Sequence, residues 1–126
     1  MEKKLEESGI TILSPEKYEE IYKTAPAQGK IIFIFMFLPW CRHCQAQLHN
    51  IIEFSKAVNE SPKLKSQVLQ TAFNGDTYGR YIYFTFGIEL YPTVLIIDTN
   101  KKFHFLSPPF NKENLISQIE SIQQQS

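Results

Sequence analysis

The spacing of polar and apolar positions changes several times along this chain, and each change predicts an element. Ile10–Leu13 is a short, largely apolar run that predicts a strand. Ser14 followed by Pro15 predicts a helix start, an N-cap with proline at the first helical position. Tyr18, Ile21 and Tyr22 give that helix one apolar face; it ends before Pro26, with Gly29 in the turn beyond. Ile31–Phe37 is apolar at every position, the pattern of a central strand covered on both sides. From Cys41 to Val58 the core positions move to helical spacing: Leu48, Ile51, Ile52, Ser55 and Val58.

Val68–Phe73 predicts a further strand without charge, and Asn74-Gly75-Asp76 a turn. Residues 77–86 fit two periods: Tyr78, Tyr81 and Phe84 match a helix, Tyr81, Tyr83 and Thr85 a strand. Thr93–Ile97 predicts a strand, Asp98-Thr99-Asn100 a tight turn, and Lys102–Leu106 its antiparallel return. Asn111 caps a last helix that runs through Ile122 and buries Leu115, Ile119 and Ile122. The order predicts an α/β fold with helices on both faces of a mixed sheet. One domain over residues 10–122 is expected, between a charged, loose segment 1–9 and a frayed tail 123–126. Lys63-Leu64-Lys65 is expected to be a solvated turn, and the aromatic residues Tyr78, Tyr81, Tyr83, Phe84 and Phe86 to belong to the core.

Composition narrows the function. At 126 residues the chain has room for one core and not two. Thirteen basic residues balance thirteen acidic ones, so no net field favours nucleic acid or an anionic membrane. The longest apolar run, Ile31–Leu38, is far short of the roughly 20 residues that span a bilayer. The start, Met1-Glu2-Lys3-Lys4-Leu5-Glu6-Glu7, lacks the apolar stretch of a leader. Only two cysteines are present, Cys41 and Cys44, and a bond between them closes too small a loop to stabilise a fold.

The stretch Pro39-Trp40-Cys41-Arg42-His43-Cys44 lies between a buried strand and a helix start. A helix N-terminus carries partial positive charge and unpaired amides, which favour a thiolate. Cys41, at the mouth, is the expected nucleophile; Cys44, one turn further in, is the expected resolving thiol. Arg42 and His43 are expected to lower the Cys41 pKa further.

This stretch resembles the motif of the thioredoxin superfamily, especially the protein disulfide isomerase form Pro-Trp-Cys-Gly-His-Cys. Phe86-Gly87-Ile88-Glu89-Leu90-Tyr91-Pro92-Thr93 resembles the same family's Tyr-Gly-Val-X-X-Tyr-Pro-Thr segment. The resemblance covers residues 10–122 and implies a thioredoxin fold, a mixed sheet of about five strands with about four helices. It implies a thiol–disulfide oxidoreductase, isomerase-like, whose catalytic pair is Cys41 and Cys44. It further implies a cis bond before Pro92 and a substrate wall of Trp40, Tyr91, Pro92 and Thr93. No cofactor is expected; the partners are cysteine-containing polypeptides and a redox partner, reductase or oxidase, of a monomeric chain.

Departures from the family pattern are specific. The buried acid six residues before the first cysteine is replaced by Phe35, and the lysine of the neighbouring strand is missing from Val68–Phe73. Losing both together is coherent, since one charge left alone in a core costs several kcal/mol, on the order of 3–5. Gln45 stands for the usual lysine, His49 for a kinking proline, and Ser107-Pro108-Pro109 for a glycine-rich bend. Glu89 and Leu90 fill variable positions beside the site.

Competing readings are a vestigial cysteine pair in a binding or scaffold domain, and a metal site built from Cys41, His43, Cys44 and His49. The second lacks a further ligand pair at zinc spacing, so no metal is expected. His104 reads as a surface or half-buried residue. Histidine between the cysteines points to an oxidising compartment, the endoplasmic reticulum lumen or a periplasm; the charged start points to the cytoplasm.

Overall fold

A computed structural model describes residues 1–125. In chain order the elements are α1 (Glu2–Glu7), β1 (Thr11–Ile12), α2 (Pro15–Thr24), β2 (Ile31–Phe37), α3 (Arg42–Glu60) and α4 (Pro62–Gln67). They continue as β3 (Val68–Asn74), α5 (Gly75–Phe86), β4 (Thr93–Ile97), β5 (Phe103–Phe105) and α6 (Lys112–Gln124). The strands form one sheet in the order β1-β3-β2-β4-β5. β1 and β2 run parallel to β3, β4 runs antiparallel to β2, and β5 antiparallel to β4. The mixed α/β sheet has the predicted number of strands, while the described residues form six helices rather than about four.

The two extra helices replace segments that sequence alone reads as irregular. Residues 2–7 form a helix, not a loose arm, because Leu5 is 0% exposed and anchors it to the core. Glu2 adds a 2.7 Å hydrogen bond from the Asn74 side-chain amide. Residues 62–67 form a helix, not a solvated turn: the Ser61 hydroxyl caps the Leu64 N–H, Pro62 occupies the first position, and Leu64 packs on the core. The expected frayed tail is helical through Gln124; Ser126 lies outside the described residues.

β2 divides the core by alternation. Phe33, Phe35 and Phe37 face a cluster with Leu5, Cys44, Ile51, Phe54, Leu115 and Ile119. Ile32, Ile34 and Met36 face the opposite cluster, with Tyr18, Ile21, Phe73, Ile82 and Phe86. All seven residues of β2 are buried, as a doubly covered strand requires.

The ambiguous segment resolves as α5, bent at Tyr78 (φ −122°, ψ 29°). The Asn74 side chain caps its start through the Asp76 N–H, and Gly87 (φ 73°) ends it in the left-handed conformation. Tyr78, Tyr81 and Phe86 pack as core around Phe73, but Tyr83 and Phe84 do not: Phe84 is 80% exposed. Helical spacing places them on the solvent side, where a strand pattern would have buried one of them.

Candidate active site

The C-terminal end of β2 delivers the chain to the mouth of α3. Leu38, Pro39 and Trp40 make the turn, and the Gln45 side chain closes it by donating to the Pro39 carbonyl at 2.9 Å. Cys41 is the N-cap residue of α3, in extended conformation, with no side-chain cap of its own. Its sulfur therefore stands where the first amides of the helix point outward.

The two thiols are in opposite environments. Cys41 is half-buried, and its pKa is lowered: the backbone N–H of Cys44 contributes most, then the Cys44 thiol, while slight burial opposes and the His43 N–H assists. Cys44 is completely buried in the Phe35–Phe37 cluster, and burial pushes its pKa up to about 12. The Leu38 N–H donates to its sulfur at 3.4 Å, too little to offset burial, and the neighbouring Cys41 sulfur adds to the rise.

Arg42 and His43 were expected to act through their side chains. Both residues are exposed, and the contribution of His43 to the Cys41 shift is its backbone amide. Trp40 is 67% exposed, with its indole N–H donating to Asp76 at 3.0 Å. The Tyr91–Pro92 bond is cis, as the resemblance implies. Tyr91 is half-buried between the two core clusters, and its phenol pKa is raised, chiefly by burial and then by the nearby Cys44. Thr93 opens β4 opposite Met36 and donates its hydroxyl to the Leu90 carbonyl at 2.6 Å.

Phe35 is wholly buried, stacked on Phe37 at 5.6 Å and paired in register with Ala72. Phe35 and its register partner are thus both apolar, and no residue of β3 carries a charge. α3 continues unbroken past His49 to Glu60. Among the described residues, no group of three or more Cys, His, Asp or Glu side chains is placed to hold a metal ion.

Sequence reasoning missed two supports. Asp76, read only as part of a turn, holds the Trp40 ring. Gly75 is buried, and a side-chain carbon there would overlap the Tyr91 ring, so glycine is what lets Tyr91 pack at the site. The Asn-Gly-Asp triplet carried a signal for a helix cap but none for its distant partners.

Solved structures resemble this chain over most of its length. The first thioredoxin domain of mouse protein disulfide-isomerase A4 superposes with a TM-score of 0.74 at 12% identity, over 91% of this chain and 76% of that one. The J-Trx1 fragment of ERdj5 gives 0.75 at 18% identity, over 94% of this chain and 54% of the fragment, so this chain spans about half of it. A poplar thioredoxin h gives 0.70 at 19% identity, over 90% and 96% of the two chains. No protein-family model and no curated protein matches the sequence. What the chain shares with all three structures is their architecture: it is a thioredoxin-fold domain.

Proposed function

We propose that this chain exchanges disulfides with cysteine-containing polypeptides, using Cys41 and Cys44 as its dithiol–disulfide couple. The observation that carries this reading is the split between the thiols, one half-buried with a lowered pKa and one buried with its pKa near 12. An attacking thiol must be ionised and reachable, and a resolving thiol must stay protonated until the first bond has formed.

The Cys41 thiolate attacks one sulfur of a substrate disulfide. A bond forms between those sulfurs, the substrate bond breaks, and the departing thiolate takes a proton from water. Cys44 then gives its proton to water and attacks Cys41, closing the Cys41–Cys44 bond and releasing the second substrate thiol. The substrate gains two electrons and the chain loses two, which a dithiol reductant returns. Run in reverse, the oxidised pair passes its disulfide to a substrate dithiol, and an oxidase restores it. Trp40, Tyr91, Pro92 and Thr93 form the wall against which the substrate backbone lies, and Arg42 and His43 flank its entry.

Stabilising the Cys41 thiolate favours the reduced chain, so its potential should lie above the thioredoxin value of about −270 mV. Equilibration with glutathione reads this, and a value at or below about −270 mV removes the claim. The test of the activity is reductive turnover of a protein disulfide, with Cys41→Ser as control and Cys44→Ser to trap mixed disulfides. No turnover together with no trapped partner overturns it. One observation favours a second reading, a binding domain with little turnover: Phe35 and Ala72 leave the buried thiol without a charged neighbour of the family's kind.

A further inference from the structure

A groove of about 800 Å³ lies beside the cysteines, and the exchange steps make no use of most of it. Its near end is formed by His43, Pro92 and Thr93, and its far end by Phe105, Pro108 and Phe110. Leu90 and Phe105 line it while 80% and 55% exposed, an unusual display of two large apolar side chains.

The far wall is the segment that stands where the resembling family has a glycine-rich bend, and here it is bulky and fixed. Gln118 of α6 accepts from the Ser107 N–H at 2.9 Å and donates to the Ser107 carbonyl at 3.0 Å. Asn114 donates to the carbonyls of Ser107 and Pro109 at 3.0 and 2.7 Å. A wall held this way is already in place when a ligand arrives, so no ordering cost falls on the wall itself. Glu89 is the one carboxylate among the lining residues described, and no lysine or arginine joins it.

We propose that this groove is a specificity pocket for a bulky aliphatic or aromatic side chain next to the substrate cysteine, in a neutral or basic polypeptide segment. The proposal rests on the disulfide-exchange reading, which supplies the occupant. A polypeptide joined to Cys41 through its own cysteine lies against His43 and Pro92, the mouth of the groove. Residues one or two positions along an extended chain, at roughly 3.3 Å each, reach its apolar lining. Glu89 at the rim repels an acidic segment.

The test compares three disulfide-linked peptides that differ only beside the cysteine, carrying Phe, Gly or Glu. Wild-type chain should exchange with the Phe peptide about tenfold faster than with the Gly peptide, and most slowly with the Glu peptide. Phe105→Ser and Leu90→Ser should each shrink the Phe-to-Gly ratio below about threefold. Equal rates for the Phe and Gly peptides, or a ratio that survives both substitutions, overturn the proposal. A second readout does not depend on exchange: Trp40 is the sole tryptophan, and its fluorescence can be titrated with versions of the peptides bearing Ser for Cys. The Phe version should saturate at about a tenth of the concentration the Gly version needs, and equal titrations again overturn the pocket. Reduction of 2-hydroxyethyl disulfide, which has no side chain to offer the groove, separates the two readings. If that fails while the Phe version still discriminates by fluorescence, exchange falls and the pocket stands.

Discussion

The two ends of β4 bury a titratable group in opposite ways. At the Thr93 end lies Cys44, fully buried, with one long amide hydrogen bond and a pKa pushed up to about 12. At the Ile97 end lies Asp98, also buried, yet with its pKa lowered. Burial is the largest influence on Asp98 and raises its pKa, but His104 Nε2 donates at 2.8 Å and the amides of Lys102 and Asn100 at 3.0 and 2.8 Å. Together these win. Donors and depth both differ: Asp98 meets three donors and keeps a trace of exposure, whereas Cys44 meets one amide and has none. A buried anion keeps its charge only when its lone pairs are met. One end of the strand meets its buried charge with donors, and the other leaves its thiol protonated.

The sharpest way to break this comparison is at the thiols. Cys41→Ser should abolish turnover, and brief alkylation of wild-type protein at pH 7 should label Cys41 over Cys44 by more than about a hundredfold. Mass spectrometry of the peptides reads the ratio; equal labelling would mean that the two environments do not differ. A second test gives the cysteine end the charge it lacks. Phe35→Glu should cost about 3–5 kcal/mol in urea titrations, since the new carboxylate has no partner. In the wild type, release from the mixed disulfide should keep rising with pH beyond 8, because Cys44 must lose its proton to water. In the variant that rate should level off at lower pH, because the new carboxylate can take the Cys44 proton, and identical pH profiles for a folded variant would show that position 35 has no part in moving it.

The Asp98 end predicts smaller effects. Asp98→Ala removes three accepted hydrogen bonds and should cost about 2–3 kcal/mol in the same titration. Because its folded pKa lies below the unfolded value, Asp98 stabilises fully above about pH 4, and that share is lost as pH falls through the lowered folded value. The variant should therefore show a flatter acid limb in stability against pH. Smallest of all, Asp76→Ala should cost no more than about 1 kcal/mol while shifting the Trp40 emission, because an exposed ring loses its one anchor.

Much of the fold was legible because its signals are local. Seven apolar residues in a row could only be the central strand, and Ser14-Pro15 and Asn111 announced their helices by cap chemistry. What stayed hidden depends on partners distant in sequence. Leu5 among five charges reads as a solvated arm until a core 46 residues away, at Ile51, accepts it. The cysteine pair and cis Pro92 were readable from motif, whereas the source of the Cys41 shift was not: the charge of Arg42 and His43 was the natural guess, and the Cys44 amide and thiol lead it. Exposed Phe84 and Tyr83 show the same limit, since composition alone assigns aromatics to the interior.

The contact between Gly75 and Tyr91 has a consequence for anyone diversifying this domain. Gly75 opens α5 and Tyr91 lies in the loop before β4, and yet the ring occupies the space that any larger residue at 75 would claim. Substitutions there will not be additive: a change at 75 that is harmful beside tyrosine can become neutral beside a smaller residue at 91. A library that varies one of them alone samples mostly failures, while one that varies them jointly treats the pair as a single heritable unit.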